Sequence, residues 1–534
     1  MTAARTVSHW APDGSIALRE VSLGALLREA ADAVPERVAL VEGVAGDRRR
    51  WTYRELWADS ERVAGALLER FAPGERVAVY APNSPEWVLL QHAVALAGLL
   101  LVPLNPAYRS GEVETILRES GAAGIVSVSR FRDNECGEIA AALATRLPTV
   151  RETIALSQIR EWTTSGPVPA LPQVRSGDPF LLQFTSGTTG VPKGALLHHR
   201  GVINSAAHVA DRAAFPDGGS WINAMPMFHI AGSCVTHMGC LSHRGTFVLA
   251  PAFEPGLMLD LIETEHGNAS LIVPTMILAM LEHPDLARRD LSSLRTILSG
   301  AADVAPALVH RAKAAFGCEF TILYGQTEFN GNVSTTRRED SVEDQTTTVG
   351  IPIPHAEVKV ADLDGNAVPV GVDGEICARG YQVMLGYDGG PESTAIDADG
   401  WLHTGDLGTM DARGYLRITG RLKDMIIRGG MNLYPREIEE VLFDHPSVAQ
   451  VSVVGLPDPT WGEIVAAVVI PRDPGRPLPA GELEEFCRAR LARHKVPRRW
   501  YVASEFPLTP SGKVQKFRLR ELIADGRIEG VAAG

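Results

Sequence analysis

The stretch Thr185-Ser-Gly-Thr-Thr-Gly-Val-Pro-Lys-Gly194 offers what a polyphosphate demands: many donors, one cation and no bulk. Gly187, Gly190 and Gly194 allow positive φ and let main-chain N–H groups come close to an anion. Ser186, Thr188 and Thr189 add hydroxyls, and Lys193 adds a compact positive charge. The loop is not a Walker A element, which requires GxxxxGK[ST], because here Lys193 precedes Gly194. A flexible Gly/Thr turn is the plain alternative, and the Pro192-Lys193 pair after TSGTTG makes it the weaker one.

Other candidate groups sit in short polar turns: Glu328 in Tyr324-Gly-Gln-Thr-Glu328, Asp406 in Thr404-Gly-Asp406, and Arg421 and Lys423 in Gly420-Arg-Leu-Lys-Asp424. Lys513 ends Pro507-Leu-Thr-Pro-Ser-Gly-Lys513. Taken singly, these read as a helix start, an ordinary turn aspartate and a solvated basic edge beside Lys516, Arg518 and Arg520. Only seven of the 51 basic residues are lysines, which matters wherever an ammonium rather than a guanidinium is required.

The elements that must position these groups follow from pattern. Arg76–Tyr80 is a short strand, Ser84-Pro85-Glu86 starts a helix running to about Ala97, Gly98 breaks it, and Leu99–Leu104 is a second strand. This βαβ unit implies a parallel sheet covered by helices. Further strands are expected at 124–128, 247–250 and 296–298. Beyond Gly420 the texture changes: residues 423–534 carry a net charge of +1 against −14 for residues 1–422. That segment predicts a helix over 435–443, strands over 449–454 and 464–470, and a helix over 480–491. The fold class is therefore α/β: a large multi-sheet N-terminal domain, 1–422, and a small α+β C-terminal domain, 423–534.

Composition narrows the function classes. The 534 residues exceed one hydrophobic core, and 45% apolar with 22% charged residues is an ordinary globular balance. The net charge of −13 argues against nucleic acid or an anionic membrane as partner. No signal peptide or membrane-spanning run is read, and six scattered cysteines without metal spacing suit a reducing, cytoplasmic setting.

The motifs in order resemble those of the adenylate-forming superfamily: acyl- and aryl-CoA synthetases, peptide-synthetase adenylation domains and beetle luciferases. TSGTTGVPKG is similar to its signature loop. Leu104–Tyr108, Met225–Gly232, Tyr324–Glu328, Gly374–Gly380, Thr404–Asp406, Gly420–Asp424 and Pro507–Lys513 resemble the motifs that follow, across nearly the whole chain.

The resemblance implies ATP, Mg²⁺ and coenzyme A as partners of a small carboxylic acid, and is compatible with a homodimer. It places Thr185, Ser186, Gly187, Thr188, Thr189 and Gly190 with Lys193 on the phosphates, Glu328 and Thr185 on the metal, and Thr327 on the α-phosphate. Gly300, Ala301 and Ala302, after Ser299, would lie along adenine, with Tyr324 stacked on its other face beside Gly325; SGAAD departs here from the commoner GGAPL. Asp406 would accept from the ribose hydroxyls, with Arg421 a fixed cation nearby. Lys423 would be the hinge, Gly429 and Gly430 would let a pantetheine arm pass, and Lys513 would be the catalytic lysine.

The acyl pocket implied by the same motifs is walled by His229, Gly232, Ser233 and Gly331, together with Ala231, Gly300 and Gly325. Their small side chains suggest room for a bulky, cyclic or long acyl group. Asn330 and Asn332 are either polar contacts for it or loop residues. The leading reading is an AMP-forming acid:CoA ligase acting on a medium- or long-chain, cyclic or aromatic acid. Adenylation for a carrier-protein thiol or another nucleophile, and a non-catalytic nucleotide-binding regulator, are the alternatives.

Overall fold

Ser84 is extended and its hydroxyl accepts from the Trp87 N–H at 3.2 Å, while Pro85 and Glu86 occupy the first turn. The resulting helix, Pro85–Leu96, buries eleven of its twelve residues, so it is apolar all round as a core helix must be. It links the strands Arg76–Tyr80 and Leu100–Leu104, which pair in parallel from Arg76 opposite Leu100 to Tyr80 opposite Leu104. The second strand starts one residue later than the pattern suggests, because the Leu99 N–H still bonds back to the Val94 carbonyl at 3.0 Å.

The computed structural model describes residues 5–164, 170–185, 192–300, 304–389, 395–473, 475–476, 478–508 and 514–531. Among them the strands form four sheets, of seven, nine, five and six strands. The seven-stranded sheet contains that βαβ unit together with Pro179–Thr185 and Lys193–His198, the strands flanking the Gly-rich loop. The nine-stranded sheet contains Thr246–Leu249, Thr296–Gly300 and Glu319–Tyr324; the five-stranded sheet contains Gly374–Arg379, Leu402–Met410 and Leu416–Arg421. One apolar cluster runs from Val79 and Leu101 through the helix Pro85–Leu96 to Trp221 and Phe247, and on to Val358 and Leu402, so three sheets share a core.

The six-stranded sheet is built from residues after Arg421 and has a core of its own around Ile426, Val453, Val465, Leu483 and Trp500. Its helix Pro435–Phe443 has the expected bounds. Its two long strands, Val448–Asp458 and Gly462–Pro471, outrun the expected ones because they form one hairpin that stays paired up to Asp458 opposite Gly462, past Gly455 and Pro457. The later helix, Ala480–Arg488, ends three residues early. No described helix is long and apolar enough to cross a membrane.

Of the histidines buried in the large core, His92 and His199 are the most deeply sealed. His199 stacks on Phe180 with ring centroids 4.7 Å apart, and its Nδ1 accepts from the Leu23 N–H at 3.2 Å, so the ring is neutral. His92 has no hydrogen-bond partner for either ring nitrogen among the described residues. Burial pushes both down to about 3. Between that value and the unfolded value near 6.5, the unfolded chain binds more protons, so stability falls as pH drops through this window. The slope is about 1.4 kcal/mol per pH unit for each ring. The thermal midpoint is therefore expected to fall from pH 8 to pH 5, and His92→Leu to retain more of it at pH 5 than the parent; an equal fall in both would show that His92 does not titrate this way.

Candidate active site

The strands Thr296–Gly300 and Glu319–Tyr324 run parallel, with Gly300 opposite Leu323, so the chain leaves both at their carboxyl ends, where open α/β sheets place ligands. Ser299, at the end of the first, is fully buried and its hydroxyl has no hydrogen-bond partner among the described residues. Beyond Tyr324 the chain makes a 3₁₀ turn, Thr327–Phe329, which carries Thr327 and Glu328 and buries Phe329.

Asp406 is the centre of the first cluster. The Tyr324 hydroxyl donates to its Oδ2 at 2.9 Å and the Gln326 amide donates to the same oxygen at 2.7 Å. Antiparallel pairing sets Asp406 opposite Arg421, whose Nε lies 2.9 Å from Oδ1. The carboxylate is 4% exposed, so these three donors replace the water it has lost. Burial first, and the Asp406 charge second, push the Tyr324 phenol far up, keeping it a proton donor. From behind, Glu375 accepts from the Gly405 N–H at 2.9 Å and meets His403 Nδ1 at 2.7 Å; the expected turn at Thr404–Asp406 is instead an irregular stretch of the strand Leu402–Met410, where the register shifts and Gly405 takes φ +67°.

The second cluster lies at the flanks of the Gly-rich loop. Thr185 and Lys193 end and begin two antiparallel strands and face each other, with Thr185 Oγ1 donating to the Lys193 carbonyl at 3.4 Å. Glu328 Oε1 accepts from the Tyr387 hydroxyl at 2.7 Å, and Lys193 Nζ stands 5.2 Å from the Tyr387 ring centroid. Burial, followed by the Glu328 charge, pushes the Tyr387 phenol up as well.

Gln326 and Tyr387 had no assigned role in the sequence. Gln326 stands inside the quoted Tyr324–Glu328 motif, an amide where a buried carboxylate needs a donor. Tyr387 offers no local signal, since its contact with Glu328 spans 59 residues.

Ser186, Gly187, Thr188, Thr189, Gly190, Ala301, Ala302 and Lys513 lie outside the described residues. Lys423 sits in the turn Leu422–Asp424, where burial and then the Arg421 charge hold its ammonium below the usual range. Gly429 and Gly430 close the hairpin between Ile426–Arg428 and Met431–Leu433 with φ of +58° and +79°. A two-residue hairpin turn with both central residues at positive φ selects glycine, which is a local reason for this pair. A Cβ on Gly429 would stand 2.9 Å from Trp461.

The expected pocket residues come together, but their smallness has another cause than space. A Cβ on Gly232 would lie 2.3 Å from the Pro226 carbonyl oxygen, one on Gly325 2.3 Å from that of Gly331, and one on Gly300 2.5 Å from that of Leu323. Gly331 has φ +101° and faces Val235. These glycines let backbone pass backbone, and the inference of a roomy pocket from them does not hold. His229 opens a tight helical segment: its carbonyl accepts from the Gly232 and Ser233 N–H groups, and its Nδ1 accepts from the Ala231 N–H at 3.2 Å. That segment, Ala231–Thr236, is a π-helix, a form often found at functional sites. Ser233 is buried with its hydroxyl on the His229 carbonyl. Asn330 donates to the Gln382 carbonyl at 2.9 Å while its buried Oδ1 has no hydrogen-bond partner among the described residues, and Asn332 pairs with Thr335.

Residues 27–388 match the family described as AMP-binding enzyme, and residues 437–513 match the AMP-binding enzyme C-terminal domain. The human mitochondrial medium-chain acyl-CoA ligase ACSF2 is 34% identical over 542 residues, covering 94% of this chain and 88% of its own. The crystal structure of ATP-bound MatB from Rhodopseudomonas palustris has a TM-score of 0.85 at 30% identity, over 95% of this chain and 99% of that one. The Bacillus subtilis o-succinylbenzoate CoA synthetase, in complex with its acyl-adenylate intermediate, has a TM-score of 0.83 at 29% identity, over 94% and 99%. The chain belongs to the AMP-binding enzyme family, the adenylate-forming acyl-CoA synthetases and CoA ligases.

Proposed function

We propose that this chain joins a carboxylic acid to ATP, giving an acyl-adenylate and pyrophosphate, and then transfers the acyl group to the thiol of coenzyme A with release of AMP. One observation carries this reading. The five residues from Tyr324 to Glu328 touch a buried carboxylate at one end and, at the other, Tyr387, whose ring faces Lys193 on the flank of the Gly-rich loop. A nucleotide laid along this segment would have its ribose at Asp406 and its phosphates at Thr185, Lys193 and the loop between them.

The attack joins anion to anion, so the site must supply positive charge and exclude water. Lys193 holds charge at the phosphates, Thr327 donates to the α-phosphate, and Lys513 brings a second ammonium from the small domain. One carboxylate and one hydroxyl, Glu328 and Thr185, fit Mg²⁺, which takes few protein oxygens and shares the phosphates. When bound, it neutralises phosphate charge. Glu328 keeps one oxygen on Tyr387 and offers the other as a ligand.

Residues 1–422 and 423–534 act as two lobes about Lys423. In support, Leu416–Arg421 is the last strand of the five-stranded sheet, the turn Leu422–Asp424 follows, and Ile426 begins the next sheet. A medium-chain fatty acid is the first candidate acid, after the activity named for the human relative. A homodimer in the cytoplasm completes the proposal.

Acid-dependent exchange of labelled pyrophosphate into ATP tests the reaction, screened over C6–C12 fatty acids, aromatic acids and short dicarboxylates, with CoA consumption measured alongside. Magnesium-dependent exchange with one acid class and matching loss of free thiol are expected. No exchange with any acid would overturn the reading, and exchange without thiol loss would leave the carrier-protein acceptor in its place.

A further inference from the structure

The structure assigns to Tyr387 the positioning of both charges that meet the nucleotide phosphates: it orients the Glu328 carboxylate and seats the Lys193 ammonium. This rests on the reading of Glu328 as metal ligand and Lys193 as phosphate cation.

Three observations converge on this residue. Its hydroxyl donates to Glu328 Oε1 at 2.7 Å, which holds that oxygen against the phenol and leaves Oε2 unengaged by it. Its ring faces Lys193 Nζ at 5.2 Å, within the range where a ring attracts a cation. Its main chain is pinned to the same two elements. Tyr387 pairs with Ala195, the Asp388 N–H donates to the Gly194 carbonyl at 2.8 Å, and the Met384 N–H donates to the Glu328 carbonyl at 2.8 Å. Arg76 holds the next residue, Asp388, at 2.7 Å, so the strap cannot slide along the strand.

The 3₁₀ turn carrying Glu328 and the strand starting at Lys193 come from different sheets. The strap Met384–Asp388 is thus a tie between metal ligand and phosphate cation. A carboxylate free to rotate about its last torsions would spend binding free energy on being ordered each time a metal-nucleotide complex entered. Tyr387 orders it beforehand.

The test uses the full chain with Mn²⁺ and α,β-methylene-ATP as probes. Binding is read by calorimetry and by the electron-spin resonance of Mn²⁺, with and without metal. Tyr387→Phe is expected to weaken the Mn²⁺–nucleotide complex about tenfold, the size of one hydrogen bond to a charged group. Metal-free nucleotide binding should change less than twofold. In parallel, the Mg²⁺ concentration for half-maximal pyrophosphate exchange should rise about tenfold, while conversion of supplied acyl-adenylate to thioester stays within about twofold. Tyr387→Leu, which also removes the ring, should weaken metal-free nucleotide binding too. Equal weakening with and without metal in Tyr387→Phe, or equal loss in both half-reactions, would reduce Tyr387 to a structural role and overturn the proposal. Failure of the underlying reading looks different: Glu328→Gln would then keep the parent's Mn²⁺ affinity.

Discussion

Replacing Asp406 with Ala is expected to raise the ATP concentration for half-maximal adenylate formation by about a hundredfold or more. An ionised carboxylate has about four acceptor positions, and Tyr324, Gln326 and Arg421 fill three of them. One ribose hydroxyl can take the remaining position; a second displaces Arg421, whose side chain is 40% exposed and can turn to water or to phosphate. Hydrogen bonds to a charged group contribute about 1.5–3 kcal/mol each, so two of them account for a change of this size.

The same substitution leaves the buried Tyr324 hydroxyl and Gln326 amide without their shared acceptor, at a cost of about 1–3 kcal/mol in stability. The thermal midpoint must therefore be measured beside the kinetics. Asp406→Asn separates the two effects: it keeps the shape and one carbonyl oxygen, and should lose about tenfold in apparent ATP affinity with little loss of folding. Pyrophosphate exchange at varied ATP, with AMP binding by calorimetry, reads both variants. If KM for ATP holds within threefold while kcat collapses, Asp406 does not carry the ribose.

What could be read from the residues alone depended on range. The helix start at Ser84-Pro85 and the strand before it are local, set by a cap, a fixed φ and a run of branched side chains, and they stand as expected. The flanks of the Gly-rich loop were legible because several special residue types coincide within ten positions. The link between Glu328 and Tyr387 was not, because it depends on a strap from one sheet reaching a turn of another, and neither residue announces the other. The glycines misled for a related reason. Absence of a side chain at 232, 300 and 325 reads as space in one dimension; in three, a carbonyl oxygen occupies each vacancy. Gly429 and Gly430 sit in a tight turn whose positive φ values select glycine by themselves, whatever passes beside it.

Lys513→Ala is expected to lower adenylate formation by at least about a hundredfold to a thousandfold, the scale of losing one preorganised stabilising group, while supplied acyl-adenylate is still converted to thioester within about tenfold of the parent rate. The asymmetry follows from charge. In the first half-reaction two anions meet, and an ammonium shared between the α-phosphate and the acid oxygen lowers the barrier directly; in the second, the leaving group is AMP and no pentacovalent phosphorus forms. Neighbouring lysines cannot substitute, because they are committed elsewhere. Lys516 is 2.7 Å from Glu439 with its side chain 17% exposed, and Lys495 is 2.6 Å from Glu437. Leu508 and Val514 are bridged antiparallel, and the Gln515 N–H donates to the Pro507 carbonyl at 2.8 Å, so the described residues on either side of Lys513 are tied to each other, and Val514 packs against the small domain's cluster around Val454 and Val468. On the proposed reading, movement of that domain about Lys423 delivers Lys513 for adenylation and withdraws it for thiol attack. Lys513→Arg keeps the charge but widens the head group, and should recover only a small part of the lost rate. Equal loss in both half-reactions for Lys513→Ala would mean that the residue supports the site as a whole, and the assignment of a single-step catalytic lysine would fall.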